Sequence, residues 1–274
     1  MNHILLFMKS LSSFFISFLY LIIIFSCGEN HEAPVLAKIT EKKGEIKEIE
    51  IDSNELIIQQ ISQAYITNTN VSLRLKAFGD TNSETNLSIY TNKGKMVLRL
   101  YKNTPLHRAN IVLLTKKKLF DNTLFYRVIN NFMIQGGNSD NPLMRDKIDA
   151  IGRYRIPNEI QKSNIHKKGA IAMAVSPEEQ SFGKKSSAIN FYIIEGRKMG
   201  ESYFKNKTNT GKTFTGKQQQ AYMSVGGAPH LDGDYTVFGE VVSGMSVLNR
   251  ISNVKVDDYN WPKKEVIIDS IRAY

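Results

Sequence analysis

The segment 124–138 combines one cation with apolar and amide side chains over a short distance. Arg127 lies in an apolar, strand-like run, and Phe132, Met133 and Gln135 follow it ahead of two glycines. A guanidinium stays ionised and presents several N–H groups in a rigid fork, so Arg127 is a candidate for a fixed hydrogen-bond donor. Taken singly, Phe132 and Met133 are compatible with an ordinary core, and the glycines with a turn. Arg127 is harder to explain by packing, because arginine is rarely buried without a partner.

Other kinds of catalytic chemistry find little support in the sequence. The single cysteine, Cys27, excludes a disulfide framework and a cysteine-rich metal site. The five histidines form no pair at metal-ligand spacing on a helix, so a metal-dependent hydrolase is disfavoured. We therefore expect no metal and no other cofactor.

Four segments in chain order resemble the cyclophilin-type peptidyl-prolyl cis-trans isomerases. Residues 124–138 resemble the family signature, and the segments 166–174, 190–193 and 231–241 resemble three motifs that follow it. Four motifs in the same order are far more specific than one. The resemblance spans residues 87–274 and implies a closed eight-stranded antiparallel barrel capped by two α-helices. It also implies a rotamase that acts on X–Pro bonds of unfolded or exported polypeptides.

The resemblance further implies a role for individual residues. Arg127 would be the catalytic donor, close to the proline nitrogen and the neighbouring carbonyl. The residues that would form an apolar pocket for the proline ring are Phe132, Met133, Tyr192, Leu231 and Tyr235. The residues that would line the groove before the proline are Gln135, Ala174 and Asn190, with Gln135 also holding Arg127 in place.

This sequence departs from the commonest family pattern at four positions. Tyr192 replaces a phenylalanine, Tyr235 a histidine and Asn190 a glutamine, which is longer by one methylene. His230 occupies the place often held by a tryptophan that helps bind the inhibitor cyclosporin. We expect catalysis to survive these changes and inhibition by cyclosporin to weaken.

Hydrophobic periodicity independently indicates a mainly β fold. The segments predicted as strands are 87–91, 96–101, 123–129, 169–175, 190–194, 235–242 and 266–273. The segments predicted as helices are 104–118, 215–223 and 247–252. Many strands without βαβ alternation favour an antiparallel barrel or sandwich. Two loops, 176–187 and 196–229, are long for the family, and the resemblance implies that the second borders the groove.

The N-terminal part reads as a targeting segment followed by a tether. Residues 10–26 are uncharged and rich in Phe, Leu and Ile, and Cys27 follows them directly, which resembles the lipidation site of bacterial lipoproteins. The alternative is an uncleaved membrane anchor with a chance cysteine. We thus expect three parts: a signal peptide over 1–26, a tether over 27–84 and an isomerase domain over 85–274. Within the tether, residues 33–51 are expected to be mobile, residues 52–65 to form a helix, and residues 71–77 a half-buried strand.

The charge distribution bears on partners and location. The chain has a net charge of +10, and residues 87–274 hold 29 Lys and Arg against 16 Asp and Glu, a net +13. A basic domain could bind nucleic acid, but a protein exported to the cell envelope does not meet it routinely, so a solvated surface is favoured. We expect a monomer, lipid-anchored to a membrane and facing the periplasm or the cell surface.

Three functions are compatible with these features. The first is an active isomerase that assists the folding of exported proteins. The second is a module that binds proline segments with little catalysis, and the third is a structural envelope lipoprotein that adheres through its charge. The presence of Arg127 favours the first, because binding proline needs only the apolar pocket.

Overall fold

The computed structural model describes residues 36–40, 46–50, 65–138, 142–205 and 211–274. The chain divides into two units, residues 1–57 and 58–274. In the first, strands β1 (Leu36–Thr40) and β2 (Ile46–Glu50) pair antiparallel. β-branched Ile and Thr favour the extended backbone of these strands, and the mobility expected for residues 33–51 stays a prediction. Cys27 and the helix predicted over 52–65, apart from Tyr65, lie outside the described residues.

The second unit begins with a helix where the sequence predicts a strand. Helix α1 spans Val71–Thr81, so the strand prediction for 71–77 is wrong. Val71 and Leu75 are one helical turn apart and both are buried, whereas Leu73 is 58% exposed. Alternation over seven residues places apolar side chains four apart as well as two apart, so it also fits one face of a helix. This face packs in a hydrophobic cluster with Ala109 and Leu113 of the next helix.

We predict that this contact contributes to the stability of the second unit. Leu75→Ala should lower the free energy of unfolding by about 2–4 kcal/mol, because it leaves a cavity at a fully buried position. Leu73→Ala is the matched control on the exposed face, and should change it by no more than about 0.5 kcal/mol. Urea denaturation measures both. Equal small losses from the two variants would mean that α1 does not pack on the domain in solution.

Ten further strands, six further α-helices and a short 3-10 helix at Pro229–Leu231 complete the described part of the chain. Strands β3 to β7 are Asn86–Thr91, Gly94–Leu100, Thr123–Ile129, Met133–Asn138 and Arg155–Ile156. Strands β8 to β12 are Ala170–Met173, Ser186–Ser187, Phe191–Ile194, Val237–Ser243 and Ile267–Ala273. Helices α2 to α7 are Pro105–Lys116, Pro142–Ile151, Pro177–Ser181, Glu201–Lys205, Gly216–Ser224 and Met245–Ser252. Among the helices of the described residues, none is long and apolar enough to cross a bilayer.

Eight of the strands form a closed antiparallel barrel, which confirms the predicted fold. Their order around the barrel is β10-β6-β5-β12-β3-β4-β11-β8. Closure leaves no unpaired sheet edge. Helices α2 and α7 contribute buried side chains to the barrel's hydrophobic cluster, among them Ile111, Leu114, Leu248 and Ile251. Strand β6 is the one barrel strand that periodicity does not predict, because its two glycines interrupt the alternation.

The predicted helix in the long loop 196–229 is also confirmed. Thr215 precedes α6, and its hydroxyl accepts a hydrogen bond from the backbone N–H of Gln218. The Gln218 side chain in turn accepts from the backbone N–H of Thr215 at 2.8 Å. This reciprocal capping box satisfies two N–H groups that would otherwise lack partners. It gives the loop a fixed helix beside the barrel.

Candidate active site

A cleft of about 340 Å³ lies on the barrel where β5, β6, β8 and β10 approach the turn before β11. The residues that line it are Arg127, Phe132, Met133, Gln135, Ala174, Val175, Tyr192, Leu231 and Tyr235. Eight of them are residues that the motifs predict. Val175 is the addition. Strand β8 ends at Met173, so strand alternation no longer holds beyond it and both Ala174 and Val175 can face the cleft.

A bulge in β5 turns Arg127 towards the cleft. Phe125 pairs with Gly136 and Arg127 with Gln135, so two steps on β5 oppose one step on β6. In a regular strand Arg127 would share the buried face of Phe125. The extra residue, Tyr126, shifts the alternation so that Arg127 is exposed while Val128 is buried. Bulges commonly re-aim a side chain beside an active site in this way.

Gln135 connects Arg127 to a residue that the motifs do not identify. Arg127 Nη1 lies 3.4 Å from Gln135 Oε1, which is long for a hydrogen bond, and Gln135 Nε2 donates to Tyr126 Oη at 2.7 Å. Because Tyr126 holds the amide nitrogen, the amide oxygen faces the guanidinium. Burial raises the pKa of Tyr126, so its hydroxyl stays protonated. An amide oxygen that is held towards the guanidinium is what Gln135 needs in order to position Arg127. The contact between Tyr126 and Gln135 depends on the bulge, so the sequence motif alone does not predict it.

The remainder of the cleft is apolar and aromatic. Met133 and Tyr192 are almost fully buried, and they pack in one cluster with the partly buried Phe132, Leu231 and Tyr235. The rings of Tyr192 and Tyr235 meet edge to face, 5.8 Å apart, a favoured geometry for aromatic pairs. The cleft therefore joins an apolar floor to a single cationic donor.

The two glycines of the motif lie inside β6, so the interpretation as a turn is wrong. Gly137 has a φ of 100°, which favours glycine. A Cβ atom on Gly137 would lie 1.9 Å from the carbonyl oxygen of Ile189. Glycine thus allows the chain that precedes β10 to approach β6.

Asn190 lies beside the cleft but is not one of the nine residues that line it. Its carbonyl accepts a hydrogen bond from the backbone N–H of Ala174 at 2.8 Å, which aligns the two chains. Its side-chain Oδ1 is buried and has no hydrogen-bond partner within the described residues. The predicted role of Asn190 in the groove stays a prediction. Within the part of the chain that the structure describes, no group of three or more His, Cys, Asp and Glu could hold a metal ion.

Comparison with known proteins identifies the family. The family model for "Cyclophilin type peptidyl-prolyl cis-trans isomerase/CLD" matches residues 86–273, more than half of the chain. The chain belongs to the cyclophilin-type peptidyl-prolyl cis-trans isomerases. It is therefore an isomerase of X–Pro peptide bonds, and the matched residues contain the whole barrel and the cleft.

Relatives and a solved structure agree with this cyclophilin assignment. A Staphylococcus aureus (strain COL) protein, provisionally named a peptidyl-prolyl cis-trans isomerase, is 31% identical over 189 residues, which are 69% of this chain and 91% of that protein. A Staphylococcus haemolyticus (strain JCSC1435) protein of the same name is 30% identical over 190 residues, again 69% and 91%. A crystal structure of a Cryptosporidium parvum cyclophilin shares the fold, with a TM-score of 0.50 and 21% identity over 70% of this chain and 98% of that one.

His230 gives a prediction about inhibition of this cyclophilin. Its exposed ring lies 5.4 Å from that of Phe132 at the cleft. Imidazole offers less apolar area than the indole often found there, and burying an aromatic side chain is worth about 1.5–3 kcal/mol. We expect weak cyclosporin inhibition, and His230→Trp should tighten it about tenfold or more with little change in peptide turnover. Inhibition of the wild type at nanomolar concentration would contradict this prediction.

Proposed function

We propose that this isomerase assists the folding of exported proteins at the bacterial cell envelope, anchored there through a lipid on Cys27. The observation that carries the catalytic part is the cleft itself, in which Arg127 stands beside an apolar floor. The sequence pattern that supports the location is the uncharged apolar run of residues 10–26, followed directly by Cys27.

The reaction needs no nucleophile and no cofactor. An amide rotates over a barrier of about 18–20 kcal/mol, because resonance gives the C–N bond partial double-bond character. An X–Pro bond has nearly balanced isomers but exchanges over roughly tens to hundreds of seconds. At the top of the barrier resonance is lost, and the proline nitrogen becomes pyramidal and basic. A catalyst must therefore bind the twisted amide more tightly than either planar isomer.

We assign the two parts of the cleft to these two needs. The apolar and aromatic walls hold the proline ring, so the acyl side turns; the residues of these walls are Phe132, Met133, Tyr192, Leu231 and Tyr235. Arg127 donates a hydrogen bond to the groups whose charge changes on twisting, and a polypeptide bound over the cleft shields this hydrogen bond from water. Gln135 limits the positions that the guanidinium can adopt. Positioned charge of this kind is commonly the largest single contribution to catalysis.

The folding role is tested with an exported protein whose refolding has a slow phase limited by X–Pro isomerisation. The wild-type chain in detergent should accelerate that phase in proportion to its concentration, and Arg127→Ala should accelerate it much less. Turnover of short X–Pro peptides without any acceleration of refolding would contradict the folding role while leaving the activity intact. Recovery of the wild type in a soluble, unlipidated form would contradict the anchored location.

A further inference from the structure

The loop 196–229, called the insertion below, is joined to the wall of the cleft through buried polar groups. Tyr222 of α6 is fully buried, and its hydroxyl donates to Asp232 Oδ2 at 2.6 Å. Burial raises the pKa of Tyr222, so the hydroxyl remains a donor. Asp232 follows Leu231, which lines the cleft. The insertion therefore reaches the segment that carries part of the pocket.

The other oxygen of Asp232 binds a second buried residue. Asp232 Oδ1 accepts from the backbone N–H of His166 at 2.9 Å and lies 2.8 Å from His166 Nδ1. His166 is fully buried, and its ring stacks 6.1 Å from that of Tyr192, which lines the cleft. A carboxylate can only accept, so the neutral ring carries its hydrogen on Nδ1 and leaves Nε2 as an acceptor. Burial lowers the pKa of His166, which keeps the ring neutral.

The acceptor nitrogen of His166, Nε2, lies within hydrogen-bond distance of Tyr192 in the wall of the cleft. Tyr192 Oη lies 3.0 Å from His166 Nε2, and Tyr192 is only 5% exposed. Burial, and then the nearby Tyr235, raise the pKa of Tyr192, so its hydroxyl donates. A phenylalanine at position 192 could not make this bond. The hydroxyl that distinguishes this chain from the commonest family pattern is thus the last member of a chain of hydrogen bonds that starts in the insertion.

A second contact joins the insertion to the same part of the cleft. Lys212 Nζ donates to Asp234 Oδ2 and, at 2.6 Å, to the carbonyl oxygen of His230. Lys184, from the other long loop, binds Asp234 Oδ1. Asp234 lies between Leu231 and Tyr235, which both line the cleft. Both long loops therefore hold the turn that carries these two pocket residues.

We propose that the insertion is a positioning element of the proline pocket, in which Tyr222 fixes the Tyr192 wall through Asp232 and His166. This rests on the proposed proline-binding role of Tyr192. The four groups satisfy one another's hydrogen bonds, so the loss of one leaves a buried polar atom unpaired and allows its neighbours to shift. The wall contacts the proline ring in both the planar and the twisted amide. Loosening it should therefore weaken substrate binding more than it slows the chemical step.

Tyr222→Phe tests the proposal, with Tyr154→Phe as the matched control. Tyr154 is also buried, and its hydroxyl donates to Asn110 Oδ1 at 2.7 Å in the separate cluster under α1. Both variants remove one buried hydroxyl, so both should lower the free energy of unfolding. Only Tyr222→Phe should raise KM for a proline-containing tetrapeptide, by about threefold or more, with a smaller change in kcat. Tyr192→Phe should also raise KM, and the double variant should raise it by less than the product of the two single effects.

The outcomes separate this inference from the function on which it rests. A wild type without turnover would contradict the proposed function. A wild type with normal turnover, together with an unchanged KM for folded Tyr222→Phe, would contradict only the positioning role. An equal rise in KM for Tyr154→Phe would contradict it as well, since general loosening would then explain the effect. If the rise in KM of the double variant equals the product of the two single effects, Tyr222 and Tyr192 act independently, which would contradict the proposed coupling between them.

Discussion

Replacing Arg127 with alanine is expected to lower kcat/KM for X–Pro isomerisation at least tenfold while the barrel stays folded. Tenfold corresponds to about 1.4 kcal/mol of lost transition-state stabilisation. Arg127 is the only cation among the nine residues that line the cleft. Its side chain is exposed and its contact with Gln135 is long, so its loss should cost little stability.

Two variants separate the role of Arg127 from general effects of charge. Arg127→Lys keeps the charge but loses the planar fork, so it should recover only part of the activity. Arg145→Ala removes an exposed arginine from α3, outside the cleft, and should leave kcat/KM unchanged. Full activity of folded Arg127→Ala would show that the donor is another group.

Replacing Cys27 with serine is expected to abolish lipid labelling of the protein completely. Cys27 is the only thiol in the chain, and it directly follows the uncharged apolar run of residues 10–26. Serine has no thiol to carry the lipid, so the variant should accumulate as an uncleaved precursor or as a soluble form. Incorporation of labelled fatty acid and the mass of the membrane-extracted protein measure both effects.

The matched control for this prediction changes the neighbour of the cysteine. Ser26→Ala keeps a small residue before Cys27, so processing and labelling should continue. An unmodified Cys27 on an intact N-terminus of the wild type would support a simple transmembrane anchor instead.

Much of the barrel and of the cleft could be predicted from the sequence. The barrel strands are predicted from their burial patterns, and the cleft residues from the family motifs. Strand Gly94–Leu100 is half-buried, so burial imposes an alternation that is visible in the sequence: Met96, Leu98 and Leu100 face the core. The cleft residues Arg127 and Leu231 are 104 positions apart in the numbering, and no local pattern joins them. Only the order of the family motifs predicts that they meet.

The features that could not be predicted depend on contacts beyond the local sequence. The segment 71–77 alternates like a strand, and the packing of Leu75 against α2 decides that it is a helix. The bulge at Tyr126 is set by the pairing of β5 with β6, so the contact of Tyr126 with Gln135 is visible only in the fold. The hydrogen bonds that join Tyr222 of the long loop to Tyr192 are also visible only in the fold, because they connect residues that are distant in the sequence.

The measurement that tests the central claim most directly is exchange NMR on a short X–Pro peptide with a substoichiometric amount of the wild-type chain. Uncatalysed exchange takes roughly tens to hundreds of seconds. The account predicts cis–trans exchange peaks at mixing times of about a second or less, together with shifts of resonances from the residues that line the cleft. Binding of the peptide in the cleft without faster exchange would contradict it, and would make the barrel a proline-binding module.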